Sequence, residues 1–524
     1  MEFEHELTYF RLLAREEASI FHAKYEESIA EVEKDELARE YPMVIDGKRV
    51  TSTTLFQDIS PIDTRIVVAR FPLGDEEHVS QAINAAKGAF MHWSRMDYKD
   101  RVGIFKKAAD IMSKSKYELA ALITYENGKN RYEAMADVDE AIDFMRYYAY
   151  EMERNDGYIK AMKSAYPDER CYSVMKPYGV FAVIAPFNFP LAITTGMCSG
   201  ALMTGNTVVL KPASDTPLIA LRFCEILEQA GLPSGVLNLV TGSGSTVGDA
   251  LISSKDVDGI VFTGSKDVGL SIYAKANTPR PRPVITEMGG KNPTIVTASA
   301  SIGKAVEGVA RAAFGYSGQK CSACSRVYLH SSIYEEFISR LVEFTSTLRV
   351  GNPIERDTFI GPLINKAAYE KYARYASMAG KDGRILVGGK QVVDGMLRYG
   401  YYVEPTIVDN LDSTHTILRE ELFLPFLAVA RYDSLDDAIA MCNDSEYGLT
   451  AGIYSNDEDE VRYFLDRIEA GVVYVNRARS ATTGAMVGSQ PFVGWKMSGI
   501  SGKGTGSLYY LPLFMREQSQ TICY

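Results

Sequence analysis

The sequence predicts an α/β fold: two successive α/β units, each built on a buried and largely parallel sheet. Three observations carry this. Short, continuous apolar runs at 180–185, 207–210, 236–240, 259–262 and 294–296 read as strands covered on both faces. Helical stretches at 216–230 and 245–254 alternate with them, which is the signature of βαβ units. A second alternation follows from about 297 to 475, and 524 residues are too many for one hydrophobic core, so two or three domains are expected.

The elements follow in chain order. Residues 1–40 carry helical periodicity at Leu7, Phe10, Leu13, Ile29 and Val32, and read as a helical extension ahead of the domain proper. Tyr41-Pro42-Met43-Val44-Ile45 then enters an Asp46-Gly47 turn, a hairpin signal. From Asp75 helices dominate. Val79, Ala82, Ile83, Ala86 and Phe90 share one face, as do Val102, Phe105, Ala109 and Met112. A third helix over 119–125 stops near Asn127-Gly128, and a fourth over 132–153 is rich in aromatics, including Phe144, Tyr147, Tyr148 and Tyr150. The tail from Gly502 has no core periodicity of its own and is expected to dock on something, such as a partner subunit.

Composition narrows the function. The net charge of −11, from 56 basic and 67 acidic residues without a basic stripe, argues against nucleic acid as a partner. No apolar run reaches membrane-spanning length, so no membrane association is expected. The acidic start, Met1-Glu2-Phe3-Glu4-His5-Glu6, lacks the features of a secretory signal or transit peptide. Seven scattered cysteines read as reduced thiols, and together these features predict a cytoplasmic protein.

Ligands of parallel sheets sit beyond the carboxyl ends of the strands, so the segments there are the ones to read for chemistry. Gly242-Ser243-Gly244-Ser245-Thr246-Val247-Gly248 is one residue longer than the usual dinucleotide fingerprint, and a plain strand-to-helix turn explains it equally well. Lys211 and Ser214 offer a cation and a hydroxyl that could meet ribose hydroxyls or a 2′-phosphate, or simply cap a loop. Cys321, after Gly318-Gln319-Lys320, and Glu287, in Glu287-Met288-Gly289-Gly290-Lys291, are the minimum for catalysis through a thioester: a thiol to attack a carbonyl and an acid to activate water. Cys321 and Cys324 could also be a redox pair, although a reactive Cys321 beside a structural Cys324 fits the context better. No second Cys or His pair stands at zinc-ligand spacing, so no metal is expected.

Taken together, the motifs stop being independent. Pro186-Phe187-Asn188-Phe189-Pro190, Lys211-Pro212-Ala213-Ser214, Phe262-Thr263-Gly264-Ser265, Glu287-Met288-Gly289-Gly290-Lys291, Gly318-Gln319-Lys320-Cys321, Glu420-Glu421-Leu422-Phe423-Leu424-Pro425 and Pro491-Phe492-Val493-Gly494 occur in one order. From about residue 40 to its end the chain resembles the aldehyde dehydrogenase superfamily. Cys321-Ser322-Ala323-Cys324-Ser325-Arg326, Ser480-Ala481-Thr482-Thr483-Gly484-Ala485 and the long helical N-terminus resemble the branch that oxidises L-glutamate γ-semialdehyde to glutamate in proline breakdown.

The resemblance implies a Rossmann-type cofactor domain at 41–156 and 179–288 and an α/β catalytic domain at 289–499. It also implies a small β oligomerisation element at 157–178 and 500–524, and hence a homo-oligomer. It makes Cys321 the nucleophile, Glu287 the base and Asn188 an oxyanion donor. It places Lys211 and Ser214 at the adenine ribose, Gly242, Gly244 and Ser265 at the pyrophosphate, and Glu421 with Phe423 at the nicotinamide ribose. The cofactor implied is NAD; the neutral Ser214 would not repel the 2′-phosphate of NADP. Ser322, Gly484 and Ala485 would grip the substrate carboxylate, and Phe189 and Phe492 would pack its stem unless they only fill core. Leu424 and Val493 replace usual glycines, so the ribose loop is expected to shift and the substrate mouth to narrow, which leaves another aldehyde open as substrate. A non-catalytic homologue is disfavoured because Cys321, Glu287 and Asn188 are all present. Transfer to coenzyme A is disfavoured because it needs no water-activating acid.

Overall fold

The computed structural model describes residues 3–278, 280–478 and 486–523. A first seven-stranded sheet runs in the order Val284–Glu287, Gly259–Thr263, Val180–Ile184, Thr207–Lys211, Leu237–Leu239, Met43–Ile45, Lys48–Val50. Its first five strands are parallel, and the Met43–Val50 hairpin adds the antiparallel edge. Asp46 and Gly47 take φ of 55° and 71°, the left-handed pair that a tight hairpin turn needs. A second seven-stranded sheet orders Arg384–Val387, Thr406–Asp409, Phe426–Tyr432, Cys324–His330, Asn292–Val296, Thr450–Tyr454, Val472–Val475, all parallel except the first strand. A three-stranded antiparallel sheet joins Ile159–Met162, Glu169–Pro177 and the C-terminal strand Met515–Cys523.

Six helices precede the first βαβ unit: α1 (Thr8–Ala14), α2 (Ala18–Asp35), α3 (Glu76–Trp93), α4 (Tyr98–Lys114), α5 (Lys116–Asn127) and α6 (Arg131–Arg154). Their ends are chemically marked. Asp75 accepts from the Glu77 and His78 N–H groups at the start of α3, and Asn130 does the same for Tyr132 and Glu133 at the start of α6. Helix α5 ends where Gly128 turns left-handed at φ 77°.

Three expectations change. The N-terminal extension is not a separate body: Phe21, Tyr25, Ile29 and Val32 of α2 lie in one core with Met135, Ile142 and Tyr148 of α6. The tail is anchored on its own chain, because Tyr510, Leu511 and Phe514 are fully buried in that same core; its hydrophobic residues are too closely spaced to show a helical or strand period. The strand at 294–296 belongs to the second sheet, and the first is completed instead by Val284–Glu287, a four-residue strand too short to stand out beside the glycines that follow.

Candidate active site

The chain passes from one seven-stranded sheet to the other between Glu287 and Asn292, and the chemistry-bearing residues gather around that crossing. Glu287 is the last residue of its strand rather than a loop residue, paired laterally with Thr263. Its register fixes the carboxylate in a buried position: the residue is 7% exposed, and Oε2 has no hydrogen-bond partner among the described residues. Burial pushes its pKa well above the usual carboxylate range, and an adjacent Gly494 backbone group offsets part of that.

Cys321 sits on the loop leading into the strand Cys324–His330. Ahead of it Tyr316, Ser317 and Gly318 take φ of 49°, 54° and 69°, a run of left-handed residues that costs backbone energy unless its surroundings hold it. They are held. Tyr316 donates its hydroxyl to Asn127 O (3.1 Å), Ser317 donates to Gly361 O (2.7 Å), and Gln319 Oε1 accepts the Ile364 N–H (2.8 Å). A Cβ at Gly318 would lie 2.4 Å from Leu424 O, so only glycine fits there. The Gly-Gln turn therefore has a structural reason.

Asn292 fixes the other side of the loop. It is 2% exposed, and its Nδ2 donates to Cys321 O (2.6 Å) and Ala323 O (2.9 Å) while Oδ1 accepts from Thr450 N (3.0 Å). Because the two ends of a trans peptide point oppositely, pinning the Cys321 carbonyl aims the Ser322 N–H at the thiol side, and that N–H draws the Cys321 pKa down. Burial, then the Glu421 and Glu287 carboxylates, push it up further than that, so the resting group is a thiol. Asn292→Asp keeps the acceptor for Thr450 but sets an acceptor against two carbonyls. It is expected to lower kcat by about 10²-fold through misplacement of the loop, measurable in steady-state assays and as slower iodoacetamide alkylation of Cys321.

Cys321, Ser322 and Glu287 line one cleft, with Phe189 and Phe492 also on its walls. Both phenylalanines therefore face the cleft rather than only filling core. Asn188 precedes Phe189, is 3% exposed, and its carboxamide enters no hydrogen bond among the described residues. Gly484 and Ala485 lie outside the described residues. The cleft also holds a residue that sequence reading passed over, Glu140 on α6, whose pKa is raised to about 8 by burial and by the neighbouring Asp137 charge. The signal was available: Glu140 stands four residues before Phe144, on the apolar face of an aromatic-rich helix.

The proposed cofactor residues form a second group, at the strand ends of the first sheet. Lys211 ends its strand, is 6% exposed and has its pKa lowered to about 8 by burial, with Asp215 opposing; its Nζ donates to Pro212 O at 2.9 Å. Ser214 Oγ lies 3.4 Å from Gly242 O. Gly242 takes φ 145° and packs against Val247, whereas a Cβ at Gly244 would meet nothing within 4 Å, leaving that turn open. Ser265 sits at the N-terminus of the helix Lys266–Ala276 without using its side chain as a cap. Glu421 and Phe423 lie apart from these, beside Gly290, Lys291 and Lys320. The Glu421 carboxylate accepts the Gly290 N–H (2.9 Å), and burial raises its pKa to about 7.

Two sequence expectations about replaced glycines fail. In the Glu421–Pro425 turn the left-handed residue is Phe423 (φ 59°), so position 424 needs no glycine, and Leu424 is 4% exposed in a core with Leu363, Ile417 and Phe426. Val493 does not line the cleft; it packs against Gly471 and Gly504. Cys324 is buried with Sγ 3.3 Å from Thr294 Oγ1, and all seven cysteines are free. Among the described residues no cluster of His, Cys, Asp or Glu could hold a metal ion, and no helix is long and apolar enough to cross a membrane.

Residues 49–519 match the aldehyde dehydrogenase family. A 1-pyrroline-5-carboxylate dehydrogenase of Geobacillus sp. (strain WCH70) is 39% identical over 503 residues, covering 95% of each chain. The structure of a Thermus 1-pyrroline-5-carboxylate dehydrogenase with bound NAD superposes with a TM-score of 0.92 at 35% identity, over 100% of this chain and 98% of that one. Proline utilization A from Bdellovibrio bacteriovorus superposes at 0.91 with 36% identity, and this chain spans 52% of that longer protein.

Proposed function

The chain belongs to the aldehyde dehydrogenase family, and from that premise we propose that it oxidises L-glutamate γ-semialdehyde, the hydrolysed form of pyrroline-5-carboxylate, to glutamate with NAD. One observation carries the reading of the chemistry: a thiol and a buried carboxylate, one of whose oxygens has no partner among the described residues, line the same cleft. The names of the relatives support the choice of substrate.

In this reading the Cys321 thiol gives its proton to solvent water, and the thiolate adds to the aldehyde carbon as the carbonyl electron pair moves to oxygen. The alkoxide that forms would meet two donors, the Asn188 carboxamide and the Cys321 N–H; one such donor typically lowers the barrier by about 3–4 kcal/mol. Bound NAD supplies the hydride acceptor. Glu287 then takes a proton from water, the hydroxide adds to the Cys321 thioester, and thiolate departure frees the acid. Glu287 suits this role because burial keeps it a stronger base than a solvated carboxylate.

The strand-end cradle fits a dinucleotide. Lys211 and Ser214 offer a cation and a hydroxyl for the ribose, the open turn at Gly244 lets a diphosphate approach the backbone, and the helix from Lys266 leaves its first N–H groups without a Ser265 side-chain cap. Glu421 would exchange the Gly290 N–H for ribose hydroxyls. In the cleft, Ser322 would meet the α-carboxylate, Glu140 the α-ammonium group, and Phe189 with Phe492 the methylene stem. The carboxylate-binding role of Gly484 and Ala485 stays a proposal on sequence grounds.

Both Glu287 and Cys321 hold their protons to higher pH than ordinary carboxyl and thiol groups, and both must lose them. The sign follows: kcat/KM is expected to rise as pH is raised above the ordinary carboxylate range, and a profile that falls with rising pH there would contradict the assignment. We propose a cofactor domain at 41–156 and 179–288 and a catalytic domain at 289–499, with the helices of residues 1–40 packed on the first of them. We further propose a homo-oligomer joined through the sheet of Ile159–Met162, Glu169–Pro177 and Met515–Cys523, whose outer strand is mostly exposed, and a cytoplasmic location.

The test is NADH formation from pyrroline-5-carboxylate, alongside a panel of aliphatic and aromatic aldehydes. Preference for the semialdehyde is expected. An inert panel would overturn the dehydrogenase reading, and preference for aldehydes without a carboxylate would overturn the substrate alone.

A further inference from the structure

We propose that residues 3–8 are a strap that sets the width of the substrate cleft, so that the N-terminal segment takes part in substrate specificity; this rests on the proposed semialdehyde reaction. Helix α6 presents two faces. Glu140 and Phe144 line the cleft, while Asp139 and Asp143, each one residue away, face the N-terminal segment. On that side Thr8 gives both its N–H and its hydroxyl to Asp139 at 2.6 Å, and Glu6 gives its N–H to Asp143 Oδ1 at 2.9 Å. The Glu6 carboxylate is itself held by Lys116 (2.9 Å), Ser113 (3.0 Å) and Arg146 (2.5 Å). The segment is thus fastened to α4, α5 and α6.

From this anchorage one side chain reaches across. His5 Nδ1 contacts Asp143 Oδ2 at 2.9 Å, and its Nε2 contacts Ser489 Oγ at 2.8 Å. Ser489 belongs to the turn Met486–Gln490, and three of that turn's residues, Met486, Val487 and Gln490, line the same cleft as Glu140 and Phe144 of α6. Phe3 reinforces the link: its ring stands edge-on to His5 (4.9 Å between centroids) and to Tyr147 of α6 (5.3 Å). Gly488 allows the approach, for at φ 74° a Cβ there would lie 2.8 Å from the Tyr147 ring and 3.3 Å from Phe3.

The imidazole therefore ties together two walls of the cleft, α6 and the Met486–Gln490 turn. A substrate with polar groups at both ends must be gripped by both walls, whereas a short aldehyde needs only Cys321 and its neighbours. Loosening the strap should weaken binding of the first and leave the second alone.

The experiment compares full-length wild type, His5→Ala, Ser489→Ala and the double variant, with pyrroline-5-carboxylate and with propanal, alongside thermal midpoints. Each single variant is expected to raise KM for pyrroline-5-carboxylate about 5- to 10-fold with kcat nearly unchanged, and to leave the propanal constants within about twofold. The double variant should be no worse than the singles, since both remove one link. Ser489→Ala breaks that link from the far side, so a folding defect particular to His5→Ala does not decide the matter. An active wild type whose KM for pyrroline-5-carboxylate is unmoved in the variants, or equal losses on both substrates, would overturn the strap alone. A wild type inert towards pyrroline-5-carboxylate would overturn the proposed reaction, and the inference with it.

Discussion

Cys321→Ala is expected to remove NADH formation from every aldehyde, lowering kcat by about 10⁴-fold or more, because no other thiol lines the cleft among the described residues. The cleft walls are otherwise aromatic and aliphatic side chains, two methionine thioethers, hydroxyls, the Gln490 carboxamide and two carboxyls. Cys324 cannot substitute for it. That thiol is 1% exposed, starts the central strand Cys324–His330, and has its Sγ beside Thr294 Oγ1. Cys324→Ala should therefore keep activity within about threefold while costing about 1–2 kcal/mol of stability for the lost buried contacts. Binding of NADH to Cys321→Ala, followed by fluorescence, should be unimpaired, which separates lost chemistry from lost folding. Full activity in Cys321→Ala would refute the mechanism.

Glu287→Gln is expected to separate the two halves of the reaction. Glutamine keeps the shape and fits the same buried slot, but it cannot accept a proton from water. Oxidation to the thioester needs no attack by water, so a first equivalent of NADH should still form. Hydrolysis should slow by about 10²- to 10⁴-fold, so that steady-state turnover nearly vanishes after that burst. The unpartnered Oε2 is what makes the prediction sharp: a hydrogen-bonded, structural carboxylate would cost stability on amidation, whereas this oxygen has no protein donor to lose among the described residues. Stopped-flow absorbance measures both phases. Loss of the burst together with the steady state would assign Glu287 to activation of Cys321 instead.

Much of this was legible in the sequence because period and punctuation agree with the fold. The five strand-like runs are strands, and the Asp46-Gly47 turn makes the hairpin it announces. The helices at 132–153 and 216–230 end within two residues of α6 and Pro217–Ala230. What sequence could not supply is long-range contact. Asn292 looks like any residue after a glycine turn until the second sheet brings Cys321 and Thr450 beside it, 29 and 158 residues away. The burial of Tyr510, Leu511 and Phe514 depends on the surface that α6 and the helix Ala192–Met203 present to them, which no local pattern encodes. Leu424 misled for a different reason: its neighbour Phe423 carries the positive φ, so a motif position usually held by glycine places no conformational demand here.

The most direct test of the central claim is intact and peptide-level mass spectrometry of Glu287→Gln mixed with NAD and pyrroline-5-carboxylate and quenched in acid. The prediction is one glutamyl thioester per chain, on the peptide containing Cys321 and on Cys321 itself. NADH formation with no adduct on Cys321, or an adduct on another cysteine, would contradict it.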